Sequence, residues 1–185
     1  MKTYPNILVA AALLPLANST LLADTVEWIG DGADNNITTT DNWYGSKVPG
    51  SGDEVYYISD AHQHYTMGIS SDWAVSAFEI STLLDGSTPA ISQTSGNVTT
   101  KTFRIQGIGT FDTTYGGVYN LSGGSFSTTS WAVLGGNGNL GTINHSGGAF
   151  SVGGELTVGE KNGENQGVGI YNLSDSGTLT VTGEM

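Results

Sequence analysis

A glycine-rich phrase that recurs along the chain constrains the fold more than any other feature. The stretch GGVYNLSGGSF (116–126) returns as LGTINHSGGAF (140–150), and its first half returns as VGIYNLS (168–174). Gly117 and Gly141 are 24 residues apart, whereas Gly141 and Gly169 are 28 apart. The extra residues fall in one loop, so the flanking apolar positions stay in phase. A period of this length is typical of repeat proteins whose units stack on one another.

Each unit contains three short segments in which apolar and polar residues alternate, the pattern of strands separated by turns. Aligning the glycines puts similar residues into shared columns and reveals an older copy of the unit, AISQTSGNV (90–98). The clearest columns are Ile91, Tyr119, Ile143 and Tyr171; Val98, Phe126, Phe150 and Leu179; and Phe78, Phe103, Ala132 and Leu156. We therefore predict an all-β, right-handed single-stranded β-helix (a β-solenoid) of about 24–28 residues per turn, or rung. A β-sandwich is the alternative, but its strands do not need like residues at like positions.

Two polar features of the repeat carry structural predictions. An asparagine column is expected to form side-chain hydrogen bonds from rung to rung, although it could also be a ligand-binding row or a set of N-x-S/T glycosylation acceptors; its members are Asn120, Asn144 and Asn172. Paired glycines are expected to supply positive φ angles at a tight corner; these pairs are Gly123–Gly124 and Gly147–Gly148. They match no phosphate-binding loop, because no lysine follows and no helix begins there.

The chain is predicted to be exported. Lys2 and the apolar run ILVAAALLPLA (7–17) make residues 1–23 a signal peptide, with cleavage after Ala23 or, alternatively, after Ser19. The run is too short to span a bilayer, and nothing after it is apolar enough to do so. A capping segment (24–54) and the rungs (55–185) are expected to follow, and the chain stops in mid-rung, as a fragment or truncated gene would.

Composition excludes several classes of function. The net charge is −12 with only five Lys and Arg residues, so the chain cannot neutralise a run of phosphates and nucleic acid is not an expected partner. The chain contains no cysteine, so no disulfide framework can hold the exported protein together.

Candidate metal ligands do not assemble into a recognisable site. Asp31, Asp34 and Asp41 could bind Ca²⁺ through oxygen, but their spacing fits no EF-hand loop. His62 and His64 would share one strand face without an identifiable third ligand. We therefore expect no metal and no cofactor.

Catalytic residues are not expected either. His145 shares its column with leucine and glutamine, which indicates a substitution within the repeat. The basic residues of the rungs, Arg104 among them, occupy unrelated positions, and the carboxylates, Glu155 and Glu160 among them, share no obvious face. Paired carboxylates at a fixed separation, as glycosidases need, are not evident. The sequence predicts a non-enzymatic protein.

The segment before the rungs carries a further pattern. TVEWIGDGADNNITTTDNWYGSKVPGSGDEVYYIS (25–59) has the form W-x-G, NW, P and GD-x-V, and the rungs after it have the form G-x-Y-x-x-S-G-G. This arrangement resembles exported bacterial β-helix repeat proteins, namely autotransporter passenger regions with the autotransporter-associated β-strand repeat and PEP-CTERM-sorted surface proteins. The resemblance implies a right-handed β-helix displayed on or released from the cell surface. It implies a structural or adhesive role and no catalytic residues.

The leading functional hypothesis is a non-catalytic stalk or adhesin-like passenger at the bacterial outer surface, with extracellular glycans or cell-surface components as candidate partners. Trp28, Trp43 and Tyr44 are expected to pack over the first rung. Alternatively, these aromatic residues form a sugar-stacking platform, which would make the chain a carbohydrate-binding module. A fragment of a polysaccharide lyase or hydrolase is the third hypothesis.

Overall fold

The computed structural model describes residues 24–59, 66–82, 88–107 and 116–185; the predicted signal peptide and the pair His62 and His64 lie outside them. The described chain forms short strands and one 3₁₀ turn, Thr40–Asn42. The first nine strands are β1 Thr25–Glu27, β2 Glu54–Ser59, β3 Thr66–Ile69, β4 Trp73–Ala74, β5 Ala77–Thr82, β6 Ala90–Gln93, β7 Asn97–Thr100, β8 Thr102–Gly107 and β9 Gly116–Leu121. The others are β10 Ser125–Thr128, β11 Ala132–Gly136, β12 Leu140–His145, β13 Ala149–Val152, β14 Leu156–Val158, β15 Lys161–Asn162, β16 Asn165–Gln166, β17 Val168–Leu173 and β18 Thr178–Val181.

Three parallel sheets, each taking one strand from successive rungs, build the molecule. Sheet 1 has the order β1-β2-β5-β8-β11-β14, sheet 2 the order β3-β6-β9-β12-β17, and sheet 3 the order β4-β7-β10-β13-β18. The chain passes through sheets 2, 3 and 1 in turn, which gives a β-solenoid of about five turns. β15 and β16 form a small antiparallel hairpin on one corner. The predicted all-β solenoid is confirmed.

The register between rungs is the one that the glycine alignment predicts. Ile143 pairs with Tyr119 in the preceding rung and with Tyr171 in the following one. Phe126 lies between Val98 and Phe150 in the same way. These positions point inward, because strand residues alternate between the two faces of a sheet. One rung cannot bury its own inward side chains, so each is covered by the rungs above and below.

Aromatic rings form a continuous row through the core. Neighbouring ring centroids are 4.7 to 5.9 Å apart along the series Trp28, Trp43, Trp73, Phe78, Phe103, Phe126, Phe150 and Tyr171. Phe126 and Phe150 stack nearly parallel, with an angle of 8° between their planes. Each such pair contributes about 0.5–1.5 kcal/mol beyond the area that it buries. The row fills the interior from the N-terminal segment to the last rungs.

Two polar pairs inside this core satisfy one another, whereas Trp28 Nε1 and Thr128 Oγ1 are buried without a hydrogen-bond partner among the described residues. The Tyr119 hydroxyl donates to Gln93 Oε1 (2.6 Å), and the Gln93 amide donates to two backbone carbonyls. One rung pair further along, His145 Nδ1 faces the Tyr171 hydroxyl (2.8 Å) and its Nε2 faces the Gly148 carbonyl (3.1 Å). These partners make Nε2 the protonated nitrogen and Nδ1 the acceptor. His145 is therefore a core residue that replaces Gln93 within the repeat.

Residues 24–53 cover the first complete rung. β1 pairs with β2 at the end of sheet 1, and Asn36 bridges to Gly68 at the end of sheet 2. Trp28 and Trp43 meet edge to face beneath these contacts and are 1% and 0% exposed. Tyr44 was expected to pack with them, and that expectation is wrong, because its side chain is 73% exposed.

Asp53 anchors this covering segment. Its carboxylate accepts hydrogen bonds from the backbone N–H groups of Gly50 (2.8 Å) and Asp24 (3.3 Å), and Lys47 Nζ lies 3.4 Å away. Burial alone raises the pKa of Asp53, but these hydrogen bonds and the charge of Lys47 outweigh it and lower the pKa below its ordinary value. The carboxylate is therefore held in its charged form. Its hydrogen bond with Asp24 joins the residue just before β1 to the loop before β2.

The paired glycines at the corner serve two different purposes. Gly124 and Gly148, the second of each pair, have φ angles of 76° and 77°, as predicted. Gly123 and Gly147 do not have positive φ angles, and closeness explains them instead. A Cβ on Gly123 would lie 2.3 Å from the Thr94 carbonyl oxygen of the preceding rung. The first glycine thus permits the close approach of two rungs, and the second turns the chain.

Gly124→Ala tests whether rung contact, and not only backbone conformation, requires glycine here. A Cβ at Gly124 would lie 2.1 Å from the Gly96 carbonyl oxygen, whereas Gly45, with a φ of 79°, has no atom within 4 Å of that position. Gly124→Ala and the control Gly45→Ala are each expected to lower the free energy of unfolding by about 1–2 kcal/mol, because alanine disfavours the left-handed conformation. Gly124→Ala is expected to cost roughly 1–3 kcal/mol more through overpacking. Urea unfolding measures the difference, and equal losses for the two variants would contradict the rung contact.

Candidate functional site

The outer face of sheet 1 carries the most varied set of polar and aromatic side chains in the described structure. Its outward positions come from five successive strands or from the residue just before them, and all but the buried Val133 are at least partly exposed: Glu54, Tyr56, Ala77, Glu79, Thr102, Arg104, Trp131, Val133, Glu155 and Thr157. Unlike the interior columns, these positions hold unlike residues from rung to rung. Variation on an otherwise regular scaffold is where a specific function can be placed.

Arg104 and Trp131 form the centre of this face. Trp131 immediately precedes β11, and its carbonyl accepts a hydrogen bond from the Phe103 N–H, which fixes it beside β8. The guanidinium carbon of Arg104 lies 4.9 Å from the centroid of the Trp131 ring. This is a cation–π contact, worth about 0.5–1 kcal/mol at an exposed site. Trp131 keeps part of its ring accessible, whereas Trp28, Trp43 and Trp73 are buried.

A hydrogen-bond network holds Arg104 over the ring. Its Nη1 donates to Gln106 Oε1 (3.0 Å), and Gln106 Nε2 donates to Glu79 Oε1 (2.6 Å). Its Nη2 lies 3.9 Å from Glu160 Oε1. Gln106 is 8% exposed and therefore cannot replace these partners with water. The Nε–H of Arg104 is buried and finds no acceptor among the residues that the structure describes. Of the five N–H donors of the guanidinium, only one Nη1–H has a hydrogen-bond acceptor there.

Carboxylates dominate the electrostatics of the face. The pKa of Tyr56 is raised, first by partial burial and then by the negative charges of Glu79 and Glu54. The positive charge of Arg104 opposes this effect without cancelling it. A neighbouring negative charge disfavours the tyrosinate, so Glu79 and Glu54 add to the effect of burial. The single guanidinium lies within an acidic field.

A groove of about 410 Å³ opens beside Trp131. Its walls include Arg104, Ser130, Glu155 and Glu160, and we call it the Trp131 groove. Ligand pockets typically measure about 300–1,000 Å³, so the groove is large enough for a small molecule or one segment of a polymer. It offers an indole surface, guanidinium donors and carboxylate acceptors from three successive rungs. Such a set can stack against an apolar face and exchange hydrogen bonds with hydroxyl groups.

The residues predicted as a sugar platform lie elsewhere and do not form one surface. Trp28 and Trp43 are core residues whose rings have no free face, and Tyr44 alone of the three is exposed. Among the described residues, no second aromatic ring contacts the exposed Tyr44 ring. The N-terminal aromatic residues therefore act mainly through packing.

The aspartates that could have bound Ca²⁺ do not form a cluster. Asp34 Oδ1 accepts hydrogen bonds from the Thr39 hydroxyl (2.7 Å) and the Asn36 N–H (3.0 Å), and these bonds lower the pKa of Asp34. It therefore stabilises a turn. Within the described ranges no three His, Asp or Glu side chains, Asp31 and Asp41 included, come together as a metal site would require.

The asparagine column forms the predicted ladder. Asn172 Nδ2 donates to Asn144 Oδ1, and Asn144 Nδ2 donates to Asn120 Oδ1, each at 2.9 Å. Asn120 in turn donates to the Ile91 carbonyl at 3.2 Å. Asn120 and Asn144 each donate one hydrogen bond and accept one, and Asn172 donates one, so the column joins successive rungs on the outside of sheet 2, which is a structural role.

The sequence expectation that the rung carboxylates share no obvious face is wrong for Glu155 and Glu160, which line one groove. Parallel stacking brings Arg104, Glu155 and Glu160 to one groove, although 51 residues separate the first two in sequence. Trp131 was not considered, because it occurs in a column that otherwise holds Thr102 and Glu155. The sequence nevertheless allows the contact to be predicted, because the pairing of Phe103 with Ala132 places the outward neighbours Arg104 and Trp131 on adjacent rungs.

Comparisons with protein-family models, curated proteins and solved structures find no significant match. Within the described residues, no helix has the length and apolar character needed to cross a membrane. The function must therefore be argued from the geometry.

Fluorescence quenching tests the geometry around Trp131. Of the four tryptophans, only Trp131 is partly exposed, so Trp131→Phe is expected to remove most of the acrylamide quenching. Trp28→Phe is the matched control, because Trp28 is 1% exposed and its Nε1 has no hydrogen-bond partner to lose. Stern–Volmer plots of both variants provide the measurement. Quenching that survives Trp131→Phe would show that another indole is accessible.

Proposed function

We propose that the chain is an exported, non-catalytic β-solenoid that acts at the bacterial outer surface as a stalk or adhesin-like passenger. The observation that supports this proposal is the in-register stack with a filled interior, whose register shifts between Leu134 and Gly136. About five rungs at ~4.8 Å spacing make a rod on the order of 20 Å long. Such a rod holds whatever it carries at a fixed distance and orientation.

The distribution of side chains supports the same role. The interior is filled by apolar side chains and a few polar groups, so contact with other molecules takes place on the outside. The exterior is polar, and the net charge of −12 favours solubility outside the cell. A cysteine-free chain stabilised by packing and backbone pairing needs no oxidative folding step after export.

A carbohydrate-binding module is the second candidate function. The observation that favours it is the Trp131 groove, and not the N-terminal aromatic residues considered at first. A rod that carries a ligand-binding face also fits the adhesin-like form of the first proposal. The groove provides no basis for assigning a reaction.

Export is tested with the complete chain in a Gram-negative host. The mature product is expected outside the cytoplasm with an N-terminus at Asp24, or at Thr20 if cleavage follows Ser19. Leu13→Arg combined with Leu14→Arg interrupts the apolar run and is expected to abolish export. Cell fractionation, protease accessibility and N-terminal sequencing are the measurements. A wild-type chain that remains cytoplasmic and begins at Met1 would contradict the proposal.

A further inference from the structure

In the Trp131 groove, the Arg104 side chain is already fixed in position before any ligand binds. Arg104 is held over the Trp131 ring by Gln106, which is itself buried and bound to Glu79. A long arginine side chain loses conformational entropy when it is fixed in this way. Here that ordering is achieved in the folded protein, so a ligand that uses the guanidinium does not have to impose it.

The unused hydrogen-bonding capacity of the groove points to a ligand with hydroxyl groups. Arg104 Nη2 lies 3.9 Å from Glu160 Oε1, beyond hydrogen-bond distance, on a side chain that is 28% exposed, so its N–H groups can still donate to a ligand. Glu155 Oε1 accepts one bond from the Thr157 hydroxyl (2.7 Å), and a carboxylate can accept several more. A hydroxyl group can both accept from the guanidinium and donate to the carboxylate. A polyol therefore complements both groups at once.

The aromatic ring adds the remaining element of recognition. An aromatic face carries partial negative charge and attracts the weakly positive C–H groups of a flat molecule laid against it. A saccharide ring combines such a C–H face with a rim of hydroxyl groups. Arg104 lies over one face of the Trp131 ring, and the part of the side chain that lines the groove, with donors and acceptors around it, matches this combination.

The charge of the surroundings selects among saccharides. Glu155 and Glu160 line the groove, Glu54 and Glu79 lie on the same sheet face, and Arg104 is the only cationic side chain that lines the groove. An acidic polysaccharide would bring further negative charge into this field and be repelled. A neutral polysaccharide carries no such penalty.

We propose that the Trp131 groove binds a neutral polysaccharide, with the sugar face against Trp131 and its hydroxyl groups bonded to Arg104 and Glu155. This inference deepens the adhesin-like role proposed above and rests on export for its access to extracellular glycans. The binding step is a property of the folded chain alone. It is therefore tested with purified protein, so that a failure of binding and a failure of export are distinguishable.

Affinity electrophoresis in native gels provides the test. The gels contain a neutral polysaccharide (galactomannan, xyloglucan or mixed-linkage β-glucan) or the acidic polygalacturonate. The protein is expected to be retarded by at least one neutral polymer and not by polygalacturonate. Trp131→Ala is expected to weaken binding at least about tenfold, as loss of a central aromatic anchor typically does. Tyr44→Ala is the matched control, because it removes an exposed ring outside the groove and is expected to leave binding unchanged.

A measurement on the unaltered protein keeps the test valid if Trp131→Ala is destabilised. Bound polysaccharide is expected to shield Trp131 and so reduce the acrylamide quenching of the wild-type fluorescence. The proposal is overturned if no neutral polymer retards the protein, or if only polygalacturonate does. It is also overturned if a peptide library, and not the glycans, reduces the acrylamide quenching of Trp131. It is also overturned if Tyr44→Ala removes binding while Trp131→Ala does not.

Discussion

The in-register parallel pairing of each rung with the next is the interaction on which the rest of the structure depends. A single rung has three short strands and cannot cover its own inward side chains. Pairing at the strand spacing of about 4.8 Å places each inward residue directly against its equivalents above and below. A shift of one residue would turn Phe126 and Phe150 outward and expose the core. The backbone ladder and the aromatic row therefore stabilise each other.

The same pairing creates the candidate functional surface. Glu79, Arg104 and Trp131 come from three successive rungs and meet because the register is maintained across sheet 1. No two of them are close in sequence. The interior columns are constrained to similar apolar residues, whereas the outward columns are free to differ. The repeated positions of the interior thus stabilise the scaffold, and the Trp131 groove, for which binding is proposed, lies among the unrepeated ones.

Much of the fold could be predicted from the sequence, because a solenoid repeats its physical constraints at a fixed interval. The glycine spacing correctly predicts that Ile143 pairs with Tyr119, and the asparagine column correctly predicts a hydrogen-bond ladder. The separate role of Gly123 was not predictable, because it depends on the distance to the Thr94 carbonyl in another rung. The exposure of Tyr44 was not predictable either, since the covering segment does not repeat.

The candidate site was harder to predict for a related reason. Arg104 and Trp131 occupy columns with no recurring residue type, so similarity between repeats gives no signal there. Their contact follows from the register only after the buried partners Phe103 and Ala132 are paired. The arrangement of Gln106 between Arg104 and Glu79 requires side-chain geometry and is not encoded in any spacing. In this repeat protein, the residues of the candidate site can therefore be placed together only when the register between rungs is known.

Nuclear Overhauser effects between backbone protons of the folded protein test the central claim, the register, most directly. The in-register stack predicts inter-strand contacts that join Ile143 to Tyr119 and to Tyr171, with Phe126 joined to Val98 and Phe150 at the same rung spacing. A β-sandwich would instead give antiparallel contacts at varying sequence separations. Parallel contacts at offsets of 24 and 28 residues from Ile143 are the predicted result. Contacts at other offsets would contradict the account.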